Sequence, residues 1–314
     1  MRNLSDTVHR VFSTGNPVVF LGEMSDVRAW RKRFMSFDLN FSAYSLATIF
    51  SWGAGDFIGG YAAKRANAFL LTAFAHTGGL VLMSTVALVA RAPFPPRHGT
   101  VWAVVAGLSG GAALAIFYRA LAGGKMGLTA PVSAVLGAAI PVTFAIFTEG
   151  WPHNLQLAGF GLAVIGIYLI SRPETEAGRP EGLSLAVLAG FGFAGFFLCM
   201  KQTGDSSALW CAVLSRLASL LLVLVIVLAS RVEMKIARRE IALGVLAGCL
   251  DVSGTALYVR ASQTGRLDAA VVLTSLYPAV TVMLARVLLK EHFNRWKTAG
   301  MVAAIAAVPM IALQ

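Results

Sequence analysis

From residue 42 to residue 313 the chain is a succession of apolar runs of membrane-crossing length. A bilayer core about 30 Å thick takes roughly 20 apolar residues per helix. The sequence divides into ten such runs: 42–63, 68–90, 101–122, 128–148, 155–171, 183–201, 207–230, 241–262, 269–289 and 297–313. Backbone crossing hydrocarbon has to satisfy its own hydrogen bonds, and for segments of this length only helices do so. Composition agrees. Hydrophobic residues make up 57% of the chain and charged residues 13%, about half the ~25% charged content of soluble domains. Such a chain cannot cover a soluble surface. The 26 Lys and Arg against 15 Asp and Glu lie in short gaps between apolar runs, with no aromatic-rich basic face. That excludes a nucleic-acid partner and makes membrane lipid the surroundings. The fold class is an all-α integral membrane protein of ten transmembrane helices.

Residues 1–40 stand apart, with six Lys/Arg and four Asp/Glu. Their best apolar run, Val18 to Leu21, is too short for a signal-peptide core. The segment reads as an N-terminal cytosolic tail, with Met35, just before the first span, as an alternative start. Connections elsewhere are short, Gly123 to Gly127 for example, so neighbouring helices run antiparallel. Residues 172–182 (RPETEAGRPEG) form a polar Pro/Gly linker near mid-chain.

The two sides of that linker repeat each other. At an offset of 141 residues Ala106-Gly107 falls on Ala247-Gly248, Ala115 on Ala256, Arg119-Ala120 on Arg260-Ala261, Gly124-Lys125 on Gly265-Arg266 and Gly159 on Gly300. One residue of slippage brings Glu149 onto Glu291. Gly and Ala coincide by chance in membrane helices; the charged matches are not explained that way. Residues 41–171 and 183–314 are therefore two copies of one five-span unit. With an odd number of spans per copy, the second is inverted relative to the first. Many secondary transporters have this design, with the solute near the midplane between repeats.

Gly107 to Ile170 and Gly248 to Ala312 resemble the EamA repeat of the drug/metabolite transporter superfamily, and Trp52-Gly53-Ala54-Gly55-Asp56-Phe57 resembles its first-helix Trp-Gly pattern. The resemblance covers residues 42 to 313. It implies two inverted five-helix repeats, both termini in the cytoplasm, and export or exchange of a small-molecule solute without ATP. It does not name the solute. On the implied orientation five basic residues of the connections and six of the tail lie inside, against twelve outside, so the positive-inside rule lends no support. Few cysteines and no transit-like leader fit a cell membrane of the bacterial inner type.

Ionisable groups within spans are costly and mark function by default. Asp56, in span 1 among four glycines, is the foremost candidate. Burial and a neighbouring cation push a carboxylate's proton affinity in opposite directions, so solute binding there can trade against a proton. The related small multidrug resistance antiporters also use a first-helix acid. The alternative is a structural lock, with Asp56 paired permanently to an arginine. Asp251, with Thr255 and Tyr258 on one helical face, lies on a cavity or a neighbouring helix. Trp52, Tyr118, Ser275 and Tyr277 complete the cavity candidates. Arg119, with its repeat mate Arg260, either recognises an anion with its planar fork or snorkels to the interface. Arg216 and Arg286 read as structural pairing, and His76 as an interhelical hydrogen bond.

Glu149 and Glu291 follow spans 4 and 9, where a carboxylate can cap the next helix; both read as structural or gating residues. Pro131, Pro141 and Pro278 interrupt backbone bonding in those spans, where a cavity can satisfy freed carbonyls. Gly55-xxx-Gly59, Gly107-xxx-Gly111 and Gly244-xxx-Gly248 suit close helix packing. Cys199, Cys211 and Cys249 form neither a disulfide framework nor a metal motif, and no cofactor is expected. Catalytic spacing among the histidines is lacking, which disfavours a lipid-modifying membrane enzyme. A receptor or scaffold would show a larger soluble part. A secondary transporter of small metabolites, amino acids or related compounds, remains, as monomer or homodimer and with protons as possible co-substrate.

Overall fold

A computed structural model of the protein describes residues 39–123, 126–171, 182–229, 235–289 and 295–312. Among them are eleven helices: α1 Leu39–Ala63, α2 Ala68–Val89, α3 Arg97–Gly123, α4 Met126–Glu149, α5 Asn154–Ser171, α6 Leu183–Lys201, α7 Ala208–Ala229, α8 Arg238–Thr264, α9 Leu267–Thr274, α10 Tyr277–Leu289 and α11 Arg295–Ala312. Each of the ten apolar runs contains a helix, the ninth being split into α9 and α10. Seven rods are long and apolar enough to cross a membrane, counting α9–α10 as one. The Ser-, Thr- and Gly-bearing α1 and the short α5 and α11 fall outside that criterion. Large apolar side chains point outward, among them Phe147 at 84% and Leu228 at 70% exposed, which suits a lipid-facing surface.

Local signals set the boundaries. The Asn67 side chain accepts the Phe69 and Leu70 N–H groups at 3.0 and 3.3 Å and starts α2. The split of the ninth run has a covalent cause: Pro278 has no N–H to give the Thr274 carbonyl. The chain turns through Ser275 and Leu276, whose N–H groups bond to Val271 and Leu273. In α4, by contrast, the helix runs on through Pro131 and Pro141. Gly137, the residue whose carbonyl Pro141 leaves without a helical donor, lines the central cavity.

The halves repeat in three dimensions. Helices α3 and α8 each have 27 residues and start 141 residues apart; α2 and α7 each have 22 and start 140 apart. Packing is unchanged when the halves are exchanged. Helix α1 lies on α8 as α6 lies on α3, α2 on α8 as α7 on α3, and α4 on α6 as α10 on α1. Three pairs, α2 with α7, α5 with α11 and α4 with the split run α9–α10, join equivalent elements. Small residues permit the closest of these contacts, as the glycine spacings lead one to expect. Gly107 and Gly111 sit on Ser215 and Ser219 of α7, and Gly248 on the Ala75 carbonyl of α2, with no room for a Cβ. The Ser219 hydroxyl donates to the Gly107 carbonyl at 2.7 Å.

The first repeat is thus seen from Leu39 onward. The expectations for the tail, for linker residues 172–181 and for Glu291 fall outside the described residues.

Candidate functional site

The packing of α1 on α8 and of α3 on α6 leaves a narrow cavity between the two halves. Its walls come from Trp52 and Asp56 of α1, small residues of α3 and α4 such as Gly107, Ser133 and Gly137, and Phe193, Phe196 and Phe197 of α6. Ser215, Arg216 and Ser219 of α7, Asp251 and Thr255 of α8, Ser275 at the α9–α10 break and Tyr277 of α10 complete it. About 50 Å³ is open to the centres of water-sized molecules, room for a few waters or a very small solute. A larger solute requires the halves to move apart.

Its polar side is an ion cluster. The Arg216 guanidinium lies 2.6 Å from Asp251 Oδ2, donates to Thr255 Oγ1 at 2.8 Å and meets His76 Nδ1 at 3.2 Å. The charge pair is close but poorly aligned, since Oδ2 has no donor at hydrogen-bonding angles. Given the 140-residue offset between α2 and α7, His76 and Arg216 occupy equivalent positions and meet where the halves exchange. Arg216 Nε, His76 Nε2, Tyr118 Oη, Tyr258 Oη and Ser275 Oγ are buried without a hydrogen-bond partner among the described residues. Buried polar atoms are normally satisfied, so this concentration marks a place that receives water or ligand.

Asp56 is 6% exposed and has neither hydrogen bond nor ion pair among the described residues. Its neighbours through electrostatics are Asp251, Tyr118 and Tyr277. The arginine lock considered for Asp56 is therefore absent among those residues; Arg216 engages Asp251 instead. Around the acids the rings close in. Trp52 centres lie 5.8 Å from Phe197, 5.6 Å from Tyr258 and 6.1 Å from Tyr277, and Trp52 Nε1 donates to the Asp251 carbonyl at 3.1 Å. Tyr277 is within hydrogen-bonding reach of Ser133.

Of the cavity candidates read from sequence, Trp52, Asp56, Asp251, Ser275 and Tyr277 come together at the walls. Tyr258 stands behind them in the aromatic cluster, and Tyr118 is fully buried against Gly59 of α1. Arg119 does not join: it is exposed, with its guanidinium 5.9 Å from the Phe69 ring centre. Its mate Arg260 is also exposed, beside Gln263. The α6 phenylalanines are the wall residues that sequence reasoning passed over; Arg216, read there as structural pairing, pairs with Asp251 within the wall itself. The coincidence of His76 with Arg216 at one repeat offset was the available signal for that placement.

Glu149 acts across the halves. One carboxylate oxygen is 3.1 Å from Lys201 Nζ and the other accepts the Leu267 N–H at 3.0 Å. The helix it caps is α9 in the other half, rather than α5, which follows it. Arg266 donates to the Glu149 and Gly150 carbonyls at 3.0 and 2.7 Å and forks onto Asp268 at 3.1 and 2.8 Å. The Asp268 hydrogen bonds hold this guanidinium protonated more firmly than usual. Lys201 also donates to the Ser262 carbonyl at 3.3 Å. One end of the bundle is thus tied from first half to second, and Tyr258 feels the Glu149 charge. Pro141 and Pro278 are both buried, but neither lines the cavity.

These features define a multi-pass membrane protein of two helical repeats enclosing a polar and aromatic cavity. The sequence pattern of the EamA-like transporter family matches residues 42–172 and again 180–313; the chain belongs to that family. A solved crystal structure superposes with a TM-score of 0.68 at 17% identity, covering 86% of this chain and 95% of that one, which shows a shared fold. No curated protein matches the chain by sequence.

Proposed function

We propose that the protein is a secondary transporter that exports or exchanges small metabolites, amino acids or related compounds such as amines. Ten crossings form two five-helix halves of opposite orientation, and rocking of one against the other presents the cavity to each side of the membrane in turn. The observation that carries this reading is the central cavity, built by both halves and holding orphaned polar groups. Lining from Ser215, Arg216 and Ser219 makes α7 part of its wall.

In this mechanism the cavity binds the solute in exchange for water, and the small glycine contacts of α3 with α7 and of α2 with α8 act as the surfaces that slide. The Glu149, Lys201 and Arg266 contacts hold one end shut, and their release opens it. Exchange of solute against a proton runs through Asp56. The test is flux in vesicles reconstituted with the purified protein, across amino acids, nucleosides, polyamines and quaternary cations. Saturable uptake of one class supports transport, and pH-driven uptake lost in a folded Asp56→Asn variant supports proton exchange. Absence of protein-dependent flux for every class contradicts the transporter reading; pH-driven flux unchanged in Asp56→Asn contradicts the coupling.

A further inference from the structure

The charge count of the cavity narrows what it can hold. Two carboxylates, Asp56 and Asp251, face one guanidinium. Arg216 is already engaged by Asp251 at 2.6 Å and by Thr255 at 2.8 Å, and its other neighbour, His76, is reached through the same nitrogen that meets Asp251. Asp56 is left over, nearly buried and without partner among the described residues. An enclosed site with one surplus negative charge draws a cation, because an unpaired buried carboxylate is costly.

The opposite wall has complementary chemistry. At the 141-residue offset Trp52 corresponds to Phe193 and Asp56 to Phe197, so the position that carries an acid on α1 carries an aromatic ring on α6. The repeat has diverged into an acidic side and an aromatic side. Ring faces attract ammonium groups, and the same rings offer apolar contact to a hydrocarbon body. The unpartnered Ser275 hydroxyl is a ready acceptor for an ammonium N–H. A carboxylate entering here would meet Asp56 and Asp251, with the one guanidinium already neutralised.

We propose that the cavity binds a small primary ammonium ion with an apolar body, ammonium toward Asp56 and body against the α6 phenylalanines, in preference to zwitterions and anions. Resting on the transporter reading, this ion is also the solute carried. In the empty site a proton balances the surplus charge; the arriving ammonium replaces it, so one cation enters as one proton leaves.

The test uses the full chain in detergent and three probes that share a branched alkyl body: isopentylamine, leucine and 4-methylpentanoate. Calorimetry and melting are read for each. Isopentylamine is expected to raise the melting temperature and to bind at least about tenfold more tightly than the other two, a gap of about 1.4 kcal/mol. Asp56→Asn is expected to remove that preference while Asp56→Glu keeps it; should Asp56→Asn not fold, the wild-type charge series decides alone. Equal or tighter binding of leucine or the acid, binding of none of the three, or a preference unchanged in Asp56→Asn overturns the proposal. Counterflow in vesicles separates the two claims. Amine that binds but never crosses overturns the transporter reading and leaves the cation site standing. Leucine that crosses where the amine does not bind overturns the cation site and leaves transport standing.

Discussion

Replacing Arg216 by Gln removes the cation from a carboxylate that has no other among the described residues. Arg216 and Asp251 side chains are 7% and 13% exposed, so the few waters that the cavity can hold replace the lost partner only in part. Breaking a buried pair from one side costs about 3–5 kcal/mol. The abandoned carboxylate can escape by taking up a proton. That costs about 1.4 kcal/mol for each unit by which the pH exceeds the ordinary value near 3.9, hence about 4 kcal/mol at pH 7 and about 1.5 at pH 5. The sign follows from proton counting: the folded variant holds a proton that the unfolded chain has released, so its stability falls as pH rises. Melting in detergent, followed through the reactivity of the fully buried Cys211 thiol, measures the loss relative to the parent chain at both pH values. Arg216→Gln is expected to lose about 3–4 kcal/mol at pH 7 and markedly less at pH 5. Adding Asp251→Asn is expected to restore more than half, and adding Asp56→Asn much less. A loss under about 1 kcal/mol, the scale of an exposed pair, would refute the reasoning, as would no dependence on pH or equal rescue by either acid substitution.

Glu149→Gln removes the Lys201 ion pair, whose side chains are 30% and 23% exposed, and weakens the cap on α9. A loss of about 1 kcal/mol is expected, together with faster labelling of thiols introduced at that end of the bundle; an unchanged labelling rate would count against the latch. Gly107→Ala drives a Cβ into the backbone of Ser215 and is expected to cost about 1–3 kcal/mol by overpacking. Gly161→Ala, with nothing within 4 Å, is expected to gain about 0.4–1 kcal/mol; melting of the two variants side by side checks both signs. Arg266→Lys keeps the charge but not the fork that bonds Asp268 and two carbonyls, so melting at least about 2 kcal/mol less stable is expected, and equal stability would show that charge alone suffices.

Helices and halves were legible in the sequence because hydrocarbon permits a single local solution and because a repeat leaves matching residues at one offset. Asp56, Asp251, Trp52, Ser275 and Tyr277 were legible for a related reason: polar or Trp/Tyr side chains in otherwise apolar spans need a shared interior. Partner choice was not. Whether Arg216 would meet Asp56 or Asp251 depends on the rotation of α7 against α1 and α8, which the Gly107 and Gly111 contacts with Ser215 and Ser219 set in space. Arg119 was left open between two readings because end-of-span arginines pointing outward and inward look alike in sequence; its exposed side chain agrees with snorkelling. Phe193, Phe196 and Phe197 were invisible as wall residues, since an apolar side chain in an apolar span has no periodic contrast to reveal its face. Glu149 was legible as a cap, but the helix it caps lies about 118 residues further on, beyond any local rule.

Alternating access of the cavity is the central claim, and accessibility of Ser275 tests it most directly. Its side chain is buried, 1% exposed, at the α9–α10 break within the cavity wall. Ser275→Cys, in a chain whose Cys199, Cys211 and Cys249 are replaced by Ser, is treated with a membrane-impermeant thiol reagent in sealed vesicles, from one face and then from the other. The expected result is labelling from both faces at different rates, with Glu149→Gln raising the slower of the two. Labelling from one face alone, or from neither in folded protein, would contradict the account.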